Sequence, residues 1–286
     1  MVTVMRKGPT EVDILILGAG WSSTFLIPLL LKEHITYAAT TTTGRDGTLK
    51  FKFECDAKNL EEYESLPAAK TVLITFPLKG KHQSFCLYKT YTETHNHCNI
   101  PFHFIQLGST GIFTIPGQDL WVTRHSKYDV SNARAIAEDE MLQLGGCVLN
   151  LSGLWGGTRQ PQNWVDRVAP TKDMLKEKAS LHLIHGYDVA RAVIGVHQKF
   201  HLAIGQRFLL TDLVVHDWWA MILGYAKDNE ENENMTHSRI KWIGELMDEH
   251  QVRALPRSME QLGRCYDSRD FWATFGMMPV RTYTVG

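Results

Sequence analysis

Short apolar runs without polar alternation recur through the first half of the chain, and stretches of helical character separate them. Asp13 to Gly18 (DILILG) predicts a fully buried strand and Ser22 to His34 the helix after it, with Thr36 to Thr40 and Leu49 to Phe53 as further strands. Lys70 to Phe76 (KTVLITF) and Phe102 to Leu107 (FHFIQL) predict two more, separated by a helical stretch holding Ser84 to Glu93. Another, Cys147 to Leu151, follows a helix over Ser131 to Leu144. Strands that are apolar at successive positions are covered on both faces, the mark of a parallel sheet between helical layers. The right-handed crossover rule then gives a doubly wound α/β sheet.

Beyond Gly153 the pattern loosens. Trp164 to Lys178 is mixed, His185 to His197 is helical, and Arg207 to Leu210 (RFLL) is a late strand. Asp212 to Lys227 and His237 to Gln251 read as helices, joined by the acidic run 228–233 (DNEENE), whose composition suits a solvated loop. The expected organisation is one domain over residues 1–286. A core over about 11–151 precedes a smaller, substrate-side lobe over about 152–286, from which the late strand returns to the sheet.

The residues where the first strand meets its helix carry the first chemistry: Gly18-Ala19-Gly20-Trp21-Ser22-Ser23. Gly18 permits the tight turn, and Gly20 lets the backbone approach a pyrophosphate held on the helix N-terminus. Ser23 stands where a third glycine normally allows close packing of helix on strand. At this place in a βαβ unit the pattern predicts a Rossmann-type dinucleotide site. An NAD site usually ends its second strand in Asp or Glu, which holds the ribose hydroxyls and repels a 2′-phosphate. This chain has Thr40-Thr41-Thr42-Thr43-Gly44-Arg45 there instead. Hydroxyls beside a guanidinium suit a phosphate, so Thr41 and Arg45 point to NADP(H) over NAD(H). Thr75, Phe76 and Pro77 end another strand and should border the same crevice.

In the order and spacing of its motifs the chain resembles the extended short-chain dehydrogenase/reductase family, nearest to its atypical members related to nucleotide-sugar epimerases. The resemblance spans Asp13 to Pro279. It rests on the glycine turn, Leu107-Gly108-Ser109-Thr110-Gly111-Ile112-Phe113, Ser131 to Glu138 (SNARAIAE), Leu151 to Gly156 (LSGLWG), Leu183 to Ala190 (LIHGYDVA), the late strand, and Phe275-Gly-Met-Met-Pro279. In that family a Tyr with a Lys four residues later passes the proton, the cation shifting a phenol that otherwise titrates near pH 10. Aligned on Glu138, those positions are Val130 and Arg134, so the pair is missing. Ser109 and Thr110 remain as hydroxyls for a substrate oxygen, Arg134 as a fixed positive charge, and Tyr128 as a phenol just upstream.

The resemblance therefore implies an oxidoreductase or epimerase-like enzyme on a small polar substrate such as a sugar nucleotide. The alternative is a non-catalytic dinucleotide-binding sensor or assembly protein. A homodimer is left open. Arg159, after Gly156-Gly157, is a candidate partner for an anionic substrate or else an ordinary loop arginine. Trp155 should overhang the nicotinamide end, Asp188 should cap the helix that follows it, and Trp218, Trp219 and Trp272 suit the core.

With 44% hydrophobic and 21% charged residues and a formal net charge of −1, the chain offers no electrostatic case for nucleic acid or an anionic membrane. The longest apolar run, near Phe25 to Leu31, is too short to span a bilayer, and Met1 to Thr10 has no apolar stretch of the signal-peptide kind. Five cysteines without a CxxC pair suit reduced thiols and a cytoplasmic protein. His82, His95, His97 and Cys98 are crowded, but residues so close cannot all reach one ion without irregular backbone, and no metal is expected.

Overall fold

The computed structural model describes residues 11–55, 60–98, 100–226 and 233–285. Most of the acidic run 228–233, and Met1 to Thr10, lie outside the described residues. In chain order the strands are β1 (Glu11–Leu17), β2 (Tyr37–Thr41), β3 (Leu49–Lys50), β4 (Ala68–Ile74), β5 (His103–Ser109), β6 (Trp121–Val122), β7 (Cys147–Leu151), β8 (Gly153–Trp155), β9 (Ser180–Leu181), β10 (Leu183–His185), β11 (Arg207–Leu210), β12 (His216–Asp217) and β13 (Cys265–Tyr266). The helices are α1 (Ser23–Lys32), α2 (Leu60–Glu64), α3 (Gln83–Thr94), α4 (Ala133–Gln143), α5 (Val165–Val168), α6 (Lys172–Lys176), α7 (Gly186–Gln198), α8 (Trp218–Tyr225), α9 (Glu233–Glu249), α10 (Met259–Leu262) and α11 (Arg269–Phe275).

Seven strands form one parallel sheet in the order β11-β7-β5-β4-β1-β2-β3. This is the Rossmann-type doubly wound α/β sheet, and the strand order reverses between β1 and β4. The two-residue period of a strand explains why its sequence shows no alternation. Ile14 and Ile16 pack in the cluster on one face with Leu30, Val193 and Phe271, while Leu15 and Leu17 pack on the other with Leu87, Tyr91 and Met141. Both faces are covered, α1, α7 and α11 lying on one side and α3 and α4 on the other.

The second half adds small two-stranded pairs, β8 with β10, β9 with β12 and β6 with β13. Its own core gathers Trp219, Ile222, Ile243, Leu246 and Tyr283. Here the structure departs from the helix expected over Asp212 to Lys227, because α8 starts only at Trp218. Asp212 and Asp217 are fully buried and tie down backbone instead. Asp212 accepts from the N–H of Val214 and Tyr283, and Asp217 from those of Trp219 and Arg257. Gly153–Trp155, unassigned by the sequence pattern, is a strand because Leu183–His185 pairs with it. Trp219 and Trp272 are buried in the core.

Candidate functional site

The carboxyl edge of the sheet opens at the switch point into a cleft of about 640 Å³. Gly18 and Gly20 to Ser22 line it from the β1 turn, Thr41, Thr42 and Arg45 from the β2 end, and Thr75 to Pro77 from the β4 end. Leu107 to Ser109 and Leu151 to Ser152 line it from the ends of the paired strands β5 and β7, and Arg134, Leu154 and Arg159 complete the lining. Three guanidinium groups and no carboxylate stand among these lining residues.

The two glycines differ in what they do. Gly18 has φ +93°, and a Cβ there would lie 2.8 Å from Thr75 Oγ1 and 3.0 Å from Phe76 Cδ1, so backbone conformation and neighbours both require glycine. A Cβ on Gly20 would meet nothing of the protein nearer than Gly18 O at 4.0 Å. Its missing side chain leaves open only the space in front of the turn. The turn itself is drawn tight by Gly20 N–H donating to Gly18 O (2.8 Å) and by Thr40, whose hydroxyl and carbonyl accept from Gly18 and Ala19. Among the described residues, the N–H groups of Trp21 and Ser22 donate to no acceptor of the chain, as expected of a helix N-terminus open to an anion. Ser23 is buried behind the turn as the first residue of α1 and does not line the cleft, a correction to its expected place in the site.

At the end of β2 the hydroxyl of Thr41 is fully used. It accepts from the N–H of Gly44 (2.9 Å) and Arg45 (3.2 Å) and donates to Thr48, whose own proton goes to Arg45 O. Thr41 is therefore the post on which the 41–48 turn is built, and not a free phosphate ligand. That turn leaves Thr42 and the exposed guanidinium of Arg45 facing the cleft.

At the opposite end Ser109 lines the cleft. Its hydroxyl accepts from Gly111 N–H (3.1 Å), starting the 3-10 turn Thr110–Phe113 and keeping its own proton for another acceptor. Its N–H donates to Glu138, whose buried carboxylate also takes Asn150 Nδ2 (2.7 Å) and Arg207 (3.4 Å). Burial pushes the Glu138 carboxyl up, and these partners offset only part of it. Arg134 borders the cleft and bonds Leu107 O (3.3 Å). Ser152 also lines it, and its buried hydroxyl has no hydrogen-bond partner among the described residues.

Two sequence candidates lie elsewhere. The hydroxyl of Thr110, nearly buried, donates to Leu151 O (3.3 Å) and holds β5 to β7. Tyr128 points away from the cleft: its hydroxyl donates to Asp139 (2.8 Å) and its ring lies under the Arg207 guanidinium at 4.5 Å. Burial first, and then the neighbouring carboxylate, hold its phenol above the usual tyrosine range, the wrong direction for a proton donor near neutrality. Val130, where the resembled family carries its tyrosine, is 68% exposed.

Other expectations are corrected too. Trp155 does not overhang the cleft but packs edge-on against His185 (4.5 Å) and Tyr283 (4.9 Å). His185, not Asp188, caps α7, its Nδ1 accepting from Tyr187 N–H (3.0 Å). Asp188 instead binds Arg191 and the backbone N–H groups of Val280 and Arg281. His95 is buried, with ring nitrogens 2.9 Å from Leu66 O and Tyr91 O, which is a packing role.

Sequence reasoning missed Thr42 as a contact, along with Leu107, Gly108, Leu151, Ser152 and Leu154. A rule was available: apart from the turn residue Thr42 and the β8 residue Leu154, each lies at the carboxyl end of a sheet strand or next to one.

Comparison of the structure with solved proteins decides the fold. Vestitone reductase from alfalfa superposes with a TM-score of 0.65 at 13% identity, covering 95% of this chain and 94% of that one. UDP-glucose 4-epimerase from Bifidobacterium longum, solved in complex with NAD+ and UDP, gives 0.60 at 12% identity and covers 94% of each chain. The chain has the extended short-chain dehydrogenase/reductase fold. RMD from Pseudomonas aeruginosa, solved with NADPH, shares it at a TM-score of 0.55 and 12% identity, over 95% of this chain and 93% of that one. No family model and no curated protein sequence matches the chain. Among the described residues no helix is long and apolar enough to cross a membrane.

Proposed function

We propose that the cleft binds NADP(H) and that the protein is an oxidoreductase or epimerase-like enzyme of short-chain dehydrogenase/reductase type, acting on a small polar substrate. The observation that carries the cofactor reading is the space in front of Gly20, with the unengaged N–H groups of Trp21 and Ser22 at its floor and Arg45 at its rim. That arrangement fits a pyrophosphate on the turn and a 2′-phosphate at the β2 end. Solved proteins of the same fold hold NAD+ with UDP in one case and NADPH in another. A sugar nucleotide is accordingly a candidate substrate.

When bound, the nicotinamide would supply or accept hydride. Around it this chain offers the Ser109 hydroxyl as a hydrogen-bond donor to a developing oxyanion and Arg134 as a permanent positive charge. Neither is a good acid, since a serine hydroxyl titrates far above neutrality and a guanidinium does not release its proton in proteins. Turnover is expected only on substrates that ionise readily or bring their own proton. A second reading, a non-catalytic dinucleotide sensor or assembly protein, draws on Tyr128 being turned toward Asp139 and away from the cleft.

Calorimetric titration with NADPH and NADH tests the proposal. NADPH should bind at least about tenfold more tightly, as expected of one charge-assisted contact. Equal affinity would refute the NADP assignment, and absence of binding to either would refute the site.

A further inference from the structure

Arg159 belongs to no sheet strand and to none of the motifs that place a dinucleotide, yet it lines the same cleft as the glycine turn. The segment that carries it is built to hold it there. Gly156 and Arg159 exchange backbone hydrogen bonds (N–H to O, 2.8 and 3.1 Å), closing a tight hairpin with φ +111° at Gly156 and +56° at Gly157. The hairpin is fastened to the β1 turn from the other side, since Trp21 Nε1 donates to Gly156 O (3.2 Å). The Arg159 guanidinium then rests over the Trp21 ring, 4.6 Å from its centroid. It is exposed, and among the described residues it has no ion pair with a carboxylate.

A guanidinium resting over an aromatic ring still has N–H donors to offer, and their fork suits two phosphate oxygens at once. Trp21 is also the residue whose own N–H faces the anion position at the helix start. The cation therefore sits beside the glycine turn on which a pyrophosphate would lie, whereas Arg45 stands at the end of β2.

We infer that Arg159 is a phosphate clamp: held on Trp21 by the 156–159 hairpin, it closes over the pyrophosphate of the bound dinucleotide. Arg159 thus serves the pyrophosphate common to both cofactors, while Arg45 serves the 2′-phosphate that distinguishes them. Arg159 is a positioning and binding residue, and it makes the lobe segment after β8 a part of the cofactor site. The inference rests on the NADP(H) reading of the cleft.

The test is calorimetry of wild type, Arg159→Ala, Arg159→Lys and Arg45→Ala with NADPH, NADH, ADP-ribose and adenosine 2′-monophosphate. Far-ultraviolet circular dichroism serves as the fold control. Arg159→Ala should weaken NADPH, NADH and ADP-ribose by one common factor of about tenfold and leave adenosine 2′-monophosphate unchanged. Arg159→Lys, which keeps the charge but not the forked donors, should recover part of that loss. Arg45→Ala should show the reverse pattern, lowering NADPH and adenosine 2′-monophosphate while sparing NADH. Unchanged binding of all three pyrophosphate ligands to a folded Arg159→Ala would overturn the clamp and leave the cofactor site standing. A loss confined to NADPH would overturn it equally, by moving Arg159 to the 2′-phosphate. Failure of wild type to bind any dinucleotide would overturn both the reading and the clamp.

Discussion

The sheet half and the C-terminal lobe are held together by different means. In the sheet half, the strands from Glu11 to Leu151 bury nearly pure apolar sequence, and buried charge is concentrated behind Ser109, where Glu138 meets Asn150 and Arg207. In the lobe, buried carboxylates hold the irregular chain. Asp217 binds Arg257 through several contacts, Asp212 holds Tyr283 N–H, and Asp188 holds Val280 and Arg281. The lesson is one of range. Apolar periodicity is a local signal, whereas a carboxylate paired with an amide 92 residues away leaves no trace in any window.

The sharpest way to break this contrast is Asp217→Asn. The Arg257 guanidinium, 3.7 Å from the Trp219 ring centroid and buried, would lose its counter-charge. Breaking a buried pair from one side costs about 3–5 kcal/mol, so urea unfolding should show a loss of that size. A loss near zero would mean the lobe does not depend on this pair.

On the sheet side, the next largest effect falls on binding and not on stability. Gly20→Val puts a branched side chain into open space, so the fold should survive by circular dichroism while dinucleotide affinity falls about a hundredfold or more. Normal binding by a folded Gly20→Val would place the cofactor elsewhere. Gly18→Ala is the internal contrast, because its φ and its neighbours predict lost stability as well.

Arg45→Ala should remove the preference for NADPH, a change of about 1.5–3 kcal/mol, with stability unaltered since the side chain is exposed. Retention of the preference would shift it to Thr42.

The smallest effect is one of pH. Burial first, with help from Arg264 and His216, drives the His182 imidazole down to about 3, and its Nε2 accepts from Tyr266 N–H (3.0 Å). The unfolded chain protonates this ring near 6.5 while the folded chain keeps it neutral. Stability present above pH 6.5 should therefore fall as pH drops toward 3, by at most about 1.4 kcal/mol per pH unit from this group. His182→Gln should flatten that slope in urea midpoints measured from pH 7 to 4. An unchanged slope would assign the acid sensitivity to other groups.

How much was legible follows the same division. The main strand positions and the glycine turn could be read from local patterns over residues 13–151, and their alternation with helices gave the doubly wound class. The third strand shrank from the expected Leu49 to Phe53 to Leu49–Lys50, since only Thr40 and Thr41 are there to pair with it. Thr41 was read from sequence as a phosphate ligand at the end of the second strand and not as the post of the turn, because that role depends on Gly44, Arg45 and Thr48 folding back onto one hydroxyl. Tyr128 looked available from its place near Val130, and the guanidinium of Arg207, 79 residues later in the chain, together with Asp139 shows why it is turned away.

The measurement that bears most directly on the central claim is a crystal structure of the protein with NADPH. The account predicts the pyrophosphate on the N–H groups of Trp21 and Ser22, the 2′-phosphate at Arg45, and nicotinamide C4 on the side of Ser109 and Arg134. Ordered NADPH outside this cleft, or in it with the 2′-phosphate turned away from Arg45, would contradict the account.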